Sequence, residues 1–290
     1  MHRLTLLFLI GFSTTINAQR FKDVTITTEK LTEHIYMLKG AGGNVGVSAG
    51  EDGVFVIDDQ FAELTDKILA VIKDISDKPI HYVVNTHWHG DHTGGNTNMT
   101  HQGVKIIAHD NVRKRLEETP KRDNTMRSKE ALPVITFNDK LSVYMNGEQV
   151  YIFHVAHAHT DGDSLLYFTK SNVLHTGDTY FQGWYPYIDL NSGGSVNGYI
   201  AAVKKGLSLI NNDTIIIPGH GNISNKKEYT TYLNMLETLK TTILSEIKKG
   251  QTEEQVATNS ELTKTFDDLG YSWNFINSEK IRRTFYKSLK

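Results

Sequence analysis

Six consecutive residues, His87-Trp88-His89-Gly90-Asp91-His92, constrain this chain more than any other part of its 290 residues. Four side chains able to hold a metal ion within so short a span are hard to explain by fold stability alone. The apolar run Ile80-His81-Tyr82-Val83-Val84-Asn85 before them reads as a buried strand, and Thr93-Gly94-Gly95-Asn96 after them reads as a turn into a helix. The ligands therefore sit on a loop at a strand's carboxyl end, where alternate side chains converge while the strand holds the backbone still. Imidazole nitrogens with a carboxylate oxygen suit zinc, with Fe or Mn as the alternatives. A structural zinc site would be expected to use thiolates, and the chain has no cysteine. Of its 13 histidines, His2, His34, His81, His101, His109 and His154 have no companion at useful spacing and read as structural or exposed.

Three further segments place a metal-capable residue just past a strand. Val150 to Val155 alternates like a strand and runs into Ala156-His157-Ala158-His159-Thr160-Asp161-Gly162-Asp163. Asn172-Val173-Leu174-His175-Thr176-Gly177-Asp178 is a short strand ending in Gly-Asp, and Thr214-Ile215-Ile216-Ile217-Pro218-Gly219-His220-Gly221 is a β-branched run stopped by Pro-Gly.

In order, these motifs resemble those of the metallo-β-lactamase-fold hydrolase superfamily, H-x-H-x-D-H, G-H-[ST], G-D or G-C, then G-H. The resemblance runs from about residue 25 to about residue 225. It implies an α/β fold, a four-layer αβ/βα sandwich, with extra C-terminal helices here. It also implies two Zn2+ ions, one held by His87, His89 and His159, the other by Asp91, His92 and His220, with Asp178 reaching one or both. The G-H-[ST] motif appears as Ala158-His159-Thr160, so His157 is a rival ligand; Thr160 favours His159. By the same resemblance the catalytic role falls to Asp91, which would orient a metal-bound hydroxide and help protonate the leaving group. Zinc lowers the pKa of bound water to about 7, and a second ion about 3.5 to 4 Å away can clamp both attacking and leaving atoms. Thr86, Asp58, Asp59 and His175 are the nearest candidates for orienting the ligands from behind.

Residues 1–18 begin with Met1-His2-Arg3, continue through the apolar Leu4 to Phe12 and end at Ile16-Asn17-Ala18, which reads as a signal peptide. A periplasmic or secreted protein is expected, without disulfides, without a lipoprotein anchor, and with no apolar stretch near the roughly 20 residues of a membrane span. With 31 basic against 33 acidic side chains there is no basic stripe for nucleic acid, so the partner is a small-molecule substrate.

Residues 19–225 read as one catalytic domain and 226–290 as a helical extension packed on it. Strands are expected near 34–39, 44–49, 53–58, 141–145, 149–155, 164–169 and 172–176, and helices over 62–74, 111–118, 196–209, 226–249 and 279–289. The aromatic stretch 269–276 either docks the last helix or borders the pocket.

Two loops are able to form that pocket, Gly40 to Gly43 and Phe181 to Asn191, with Trp184, Tyr185, Tyr187 and Asn191 as substrate-facing residues. Two-zinc β-lactamases usually carry Gly-Cys where this chain has Gly177-Asp178, and a substrate-binding lysine where it has Phe181. The ligand separation and Asn191 resemble the β-lactamases, so opening of a cyclic amide or ester is expected. Acyl-homoserine-lactone hydrolysis and thioester hydrolysis are the alternatives; an exported metal-binding relay of a quinoprotein pathway is the alternative of another class. His89 stands where flavodiiron oxygen reductases have glutamate.

Overall fold

The structure is a computed structural model that describes residues 21–121 and 124–290; the expected signal peptide, 1–18, lies outside the described residues. Among the described residues, thirteen strands form two sheets. The first contains, in spatial order, β1 (Thr27–Lys30), β2 (Ile35–Lys39), β3 (Val45–Gly50), β4 (Gly53–Ile57), β5 (Ile80–Val84), β6 (Lys105–His109) and β7 (Ile135–Phe137). The second contains β8 (Lys140–Met145), β9 (Glu148–His154), β10 (Ser164–Phe168), β11 (Val173–His175), β12 (Ile215–Ile217) and β13 (Ser224–Asn225), running from β13 at one edge to β8 at the other. β1 to β4 form an antiparallel meander; β4 to β7 run parallel, which requires crossover helices.

The central strands are apolar on both faces, and both of those faces are buried. In β4, Phe55 and Ile57 point between the sheets, where they meet Leu166, Phe168, Val173 and Ile217 of the second sheet. Their neighbours Val54 and Val56 point outward onto Leu64, Ile68 and Ile72 of the helical segment after β4. The second sheet repeats the arrangement: Leu165, Leu174 and Ile216 face helices Val196–Leu209 and Lys226–Lys248. Two sheets back to back with helices outside give four layers.

The chain beyond residue 225 shares that outer core. Tyr229, Tyr232, Leu236, Leu239 and Ile243, with Ile281 and Phe285 of helix Ser278–Leu289, belong to the same apolar cluster as Leu165 and Val203. Helix Val196–Leu209 has its expected bounds, capped by the Ser195 side chain on the Gly198 N–H. The helix expected over 62–74 instead opens with a 3-10 turn, Ala62–Leu64, before Thr65–Ile75. The short edge strands β1, β7 and β13 and the helix Glu253–Thr258 carry too little periodicity for the sequence to announce them.

Candidate metal centre

Five strand ends meet at one edge of the sandwich: those of β4, β5, β9, β11 and β12. From them project two adjoining sets of side chains, His87, His89, His159 and Asp178 in one, and Asp91, His92 and His220 in the other. Within each set the ligand atoms lie within 4.8 Å of one another. Asp178 lies between the sets. Its Oδ2 is 3.7 Å from His87 Nε2 and 3.5 Å from His159 Nε2, while Oδ1 is 3.1 Å from His92 Nε2 and 3.4 Å from His220 Nε2. Asp91 Oδ2 is 3.7 Å from His92 Nε2 and 3.4 Å from His220 Nε2.

The ring nitrogens facing away from the cluster are tied up, which decides the tautomers. His159 Nδ1 donates to the Tyr187 carbonyl at 2.7 Å, His92 Nδ1 to Asp58 Oδ2 at 2.7 Å, and His89 Nε2 to Asp189 Oδ2 at 3.0 Å. Thr86 Oγ1 donates to Asp58 and so accepts from His87 Nδ1, at 3.1 Å. Each of these four imidazoles therefore directs its other ring nitrogen inward, as a lone pair on His87, His89 and His159 and, on His92, as a site that a cation could take in place of a proton. His89 Nδ1 and His159 Nε2 face each other at 2.9 Å, and His87 Nε2, His92 Nε2 and Asp178 Oδ1 are buried without a hydrogen-bond partner. Converging lone pairs and carboxylates around buried orphan atoms are what divalent cations satisfy.

Charges follow the same division. Burial holds the His87 and His159 imidazoles down, His159 to about 4, so both are neutral at pH 7. Burial would also lower His92 and His220, but the carboxylates of Asp178 and Asp91, with Asp58 at His92, outweigh it. His92 lies well above the ordinary value and His220 at about 9. Burial alone would raise the Asp91 and Asp178 carboxyls; the imidazoles of His92 and His220 hold both below the usual range.

The supports are built locally. Asp58 is fully buried in the left-handed region (φ 61°) and accepts from Thr86 N, Thr86 Oγ1 and His92 Nδ1. Asp163 accepts from Thr160 N and Oγ1, both at 2.7 Å, closing the turn that carries His159; burial raises its carboxyl to about 7. Asp59 instead caps Gly95 N, and His175 Nε2 bonds the Asn44 carbonyl, so neither touches a ligand ring through a hydrogen bond.

His157 is turned away, exposed at φ 52° with Nδ1 on the Gly193 carbonyl, which leaves the position beside the cluster to His159. Of the expected substrate-facing residues, Tyr187 lines the site, its ring 5.7 Å from His89 at 22°. Trp184 stands two rings further out, stacked on Trp273, which meets Phe181 beside His220. Tyr185 is corrected to a core residue: it is fully buried and its hydroxyl donates to Asp267. Asn191 sits exposed on the turn Leu190–Ser192, and Asp189 two residues earlier is the side chain that reaches the ligand shell. Asp189 has no motif around it, so only the folded loop reveals it.

A sequence profile of the metallo-beta-lactamase superfamily matches residues 38–231. The chain belongs to the metallo-beta-lactamase superfamily. Among curated superfamily relatives, it is 32% identical over 114 residues to a hydroxyacylglutathione hydrolase of Pelagibacter ubique, covering 38% of this chain and 41% of that one. A protein of the same name from Polaromonas is 28% identical over 154 residues, 51% of each chain. The matched region thus spans about half or less of the length of these relatives. Among solved structures, the metallo-beta-lactamase from Pontibacter korlensis superposes with a TM-score of 0.64 at 17% identity, covering 73% of this chain and 99% of that chain. That likeness is one of fold, and it is the metallo-beta-lactamase fold that the four layers form.

Proposed function

We propose that this superfamily member is a dinuclear zinc hydrolase that cleaves a carboxylic acyl bond in a small molecule. The observation carrying this reading is Asp178 standing between two sets of inward-facing ligand atoms, one oxygen toward each. When bound, two ions would supply Lewis acidity at the acyl oxygen and a water whose pKa is lowered to about 7.

The chain's own residues do the rest. Asp91 is the more open of the two cluster carboxylates, at 27% side-chain exposure against 4% for Asp178. It stays ionised at neutral pH and is placed to orient the attacking water and carry its proton to the leaving atom. Asp58 and Asp189 fix the His92 and His89 rings, and Tyr187 walls the His89 side against water.

Among acyl bonds, an ester-type bond, lactone or thioester, is favoured over a charged cyclic amide. Phe181 is buried and stacked on His220 at 5.1 Å, so an apolar ring occupies the position where the β-lactamases carry their lysine. The two hydroxyacylglutathione hydrolases support the thioester side of this choice. The pattern of Met1 to Ala18 supports action in the periplasm or outside the cell.

The test is metal content and turnover on one purified sample, with a chromogenic cephalosporin, an acyl-homoserine lactone and an acyl thioester, for the unaltered protein and Asp91→Ala. Two metals per chain with chelator-sensitive turnover, reduced about 100-fold or more in the variant, are expected. Metal without turnover of any substrate would favour the relay reading. Less than one metal per chain would overturn the ligand assignment.

A further inference from the structure

We infer that the segment around Trp273 and Phe275, contributed by the C-terminal extension, is an aryl-binding shelf that selects substrates with a ring-bearing acyl group. This rests on the hydrolase reading for its chemistry and goes beyond it in naming what the substrate carries.

Two chains of ring contacts lead out of the centre, one from each set. From His220, Phe181 stacks at 5.1 Å and meets Trp273 at 5.9 Å. From His89, Tyr187 stacks at 5.7 Å and meets Phe275 edge-on at 5.0 Å. Trp273 and Phe275 join the two at 5.7 Å, and Trp184 extends the shelf by stacking on Trp273 at 5.4 Å and 21°. A continuous run of ring contacts therefore joins both halves of the site, through the buried Phe181 and the half-buried Tyr187, to the exposed rings of Phe275 and Trp184.

Packing alone does not account for it. Phe275 is 48% exposed and Trp184 36% exposed, although each already touches another ring. Contiguous exposed aromatic faces beside a polar centre mark a binding surface. The surface is also held rigid. Trp273 Nε1 donates to the Tyr185 carbonyl, Tyr185 N donates to the Tyr271 carbonyl, and Ile276 is buried beneath. Lys280 Nζ bonds the Phe275 carbonyl and lies 4.1 Å from the Phe275 ring centroid, fixing that ring's near side by a cation–π contact. A preformed shelf loses little entropy when a flat group lands on it.

The experiment compares phenylacetyl and acetyl thioesters of N-acetylcysteamine, following thiol release, in the full chain, in Phe275→Ala and in Trp273→Phe. The exposed Tyr144→Ala on β8 serves as control. The unaltered protein is expected to prefer the phenylacetyl substrate in kcat/KM. Phe275→Ala is expected to shrink that preference about threefold to tenfold, mainly through KM, as loss of an aromatic contact predicts; Tyr144→Ala should leave it unmoved. In parallel, calorimetric titration with phenylacetate against acetate reads the shelf without turnover. Tighter phenylacetate binding that weakens in Phe275→Ala upholds the shelf even if neither thioester is cleaved, in which case only the thioesterase reading falls. Turnover of both thioesters with equal kcat/KM, together with equal binding of the two acids, overturns the shelf and leaves the hydrolase reading standing.

Discussion

Asp58 and His92 form the innermost buried ion-pair contact of the site, with His92 Nδ1 donating to Asp58 Oδ2 at 2.7 Å and both side chains wholly excluded from solvent. The same carboxylate accepts from Thr86 N and Oγ1, so one group positions the ligand loop at two points. Asp58→Asn keeps the shape but removes the charge that orients His92. Affinity for metal at the Asp91, His92 and His220 set should fall about 10- to 100-fold. Competition with a fluorescent zinc chelator checks this, and a change below about twofold would refute the orienting role.

The two metal sets should respond differently to pH. His87 and His159 are lowered and already neutral at pH 6, whereas His92 and His220 are raised, His220 to about 9. A raised imidazole holds a proton that the metal must displace, so affinity at the second set falls as pH drops, by about tenfold per unit for each proton held, the His220 proton counting below about 9. Zinc titration of chelator-treated protein should therefore show sequential loading at pH 6 and more closely matched loading at pH 9. Identical titration curves at both pH values would contradict the assignment.

Gly43 lies against the His92 ring so closely that a β-carbon there would collide with it. The neighbouring imidazole is held by Asp58 and cannot swing away. Gly43→Ala should cost about 1–3 kcal/mol of stability, as overpacking does, and displace His92 from the second set. Thermal unfolding with and without zinc distinguishes it from a surface change, because added zinc should restore less stability than in the unaltered protein.

Asp163 supplies a stability signature from a residue outside the two ligand sets. Burial raises its carboxyl to about 7, against the bonds from Thr160 that lower it. With the folded value above the unfolded one, its contribution is fully present below about pH 4 and is lost as pH rises through about 7. Asp163→Asn retains an acceptor for Thr160 N without the charge. Its melting temperature should fall less between pH 5 and 8 than that of the unaltered protein, and parallel profiles would argue against the assignment.

Much of the side-chain cluster was legible in the chain because short-range geometry carries it. His87, His89, Asp91 and His92 fall within one strand-end loop, and His159, Asp178 and His220 each follow a β-branched or alternating run that can only be a strand. The apolar patterns of β4, β10 and β12 likewise announce sheets buried on both faces, hence layers. These features depend on neighbours in sequence, and local chemistry is enough to read them.

The rest depends on which distant segments meet. Asp189 becomes a partner of His89 across 100 residues only because β5 and the loop after β11 end at the same edge. Tyr185 and Tyr187 look equivalent in sequence, yet one is buried against Asp267 and the other stacks on His89, because the irregular loop, unlike a strand, turns residues two apart to different sides. Trp273 and Phe275 reach Phe181 and Tyr187, the rings beside His220 and His89, because the last helix packs onto the second sheet's outer core and carries that segment back toward the site. Sequence by itself determined which donors exist and that they sit at strand ends; long-range packing decided which of them share a cation-sized space and which aromatic rings stand over it.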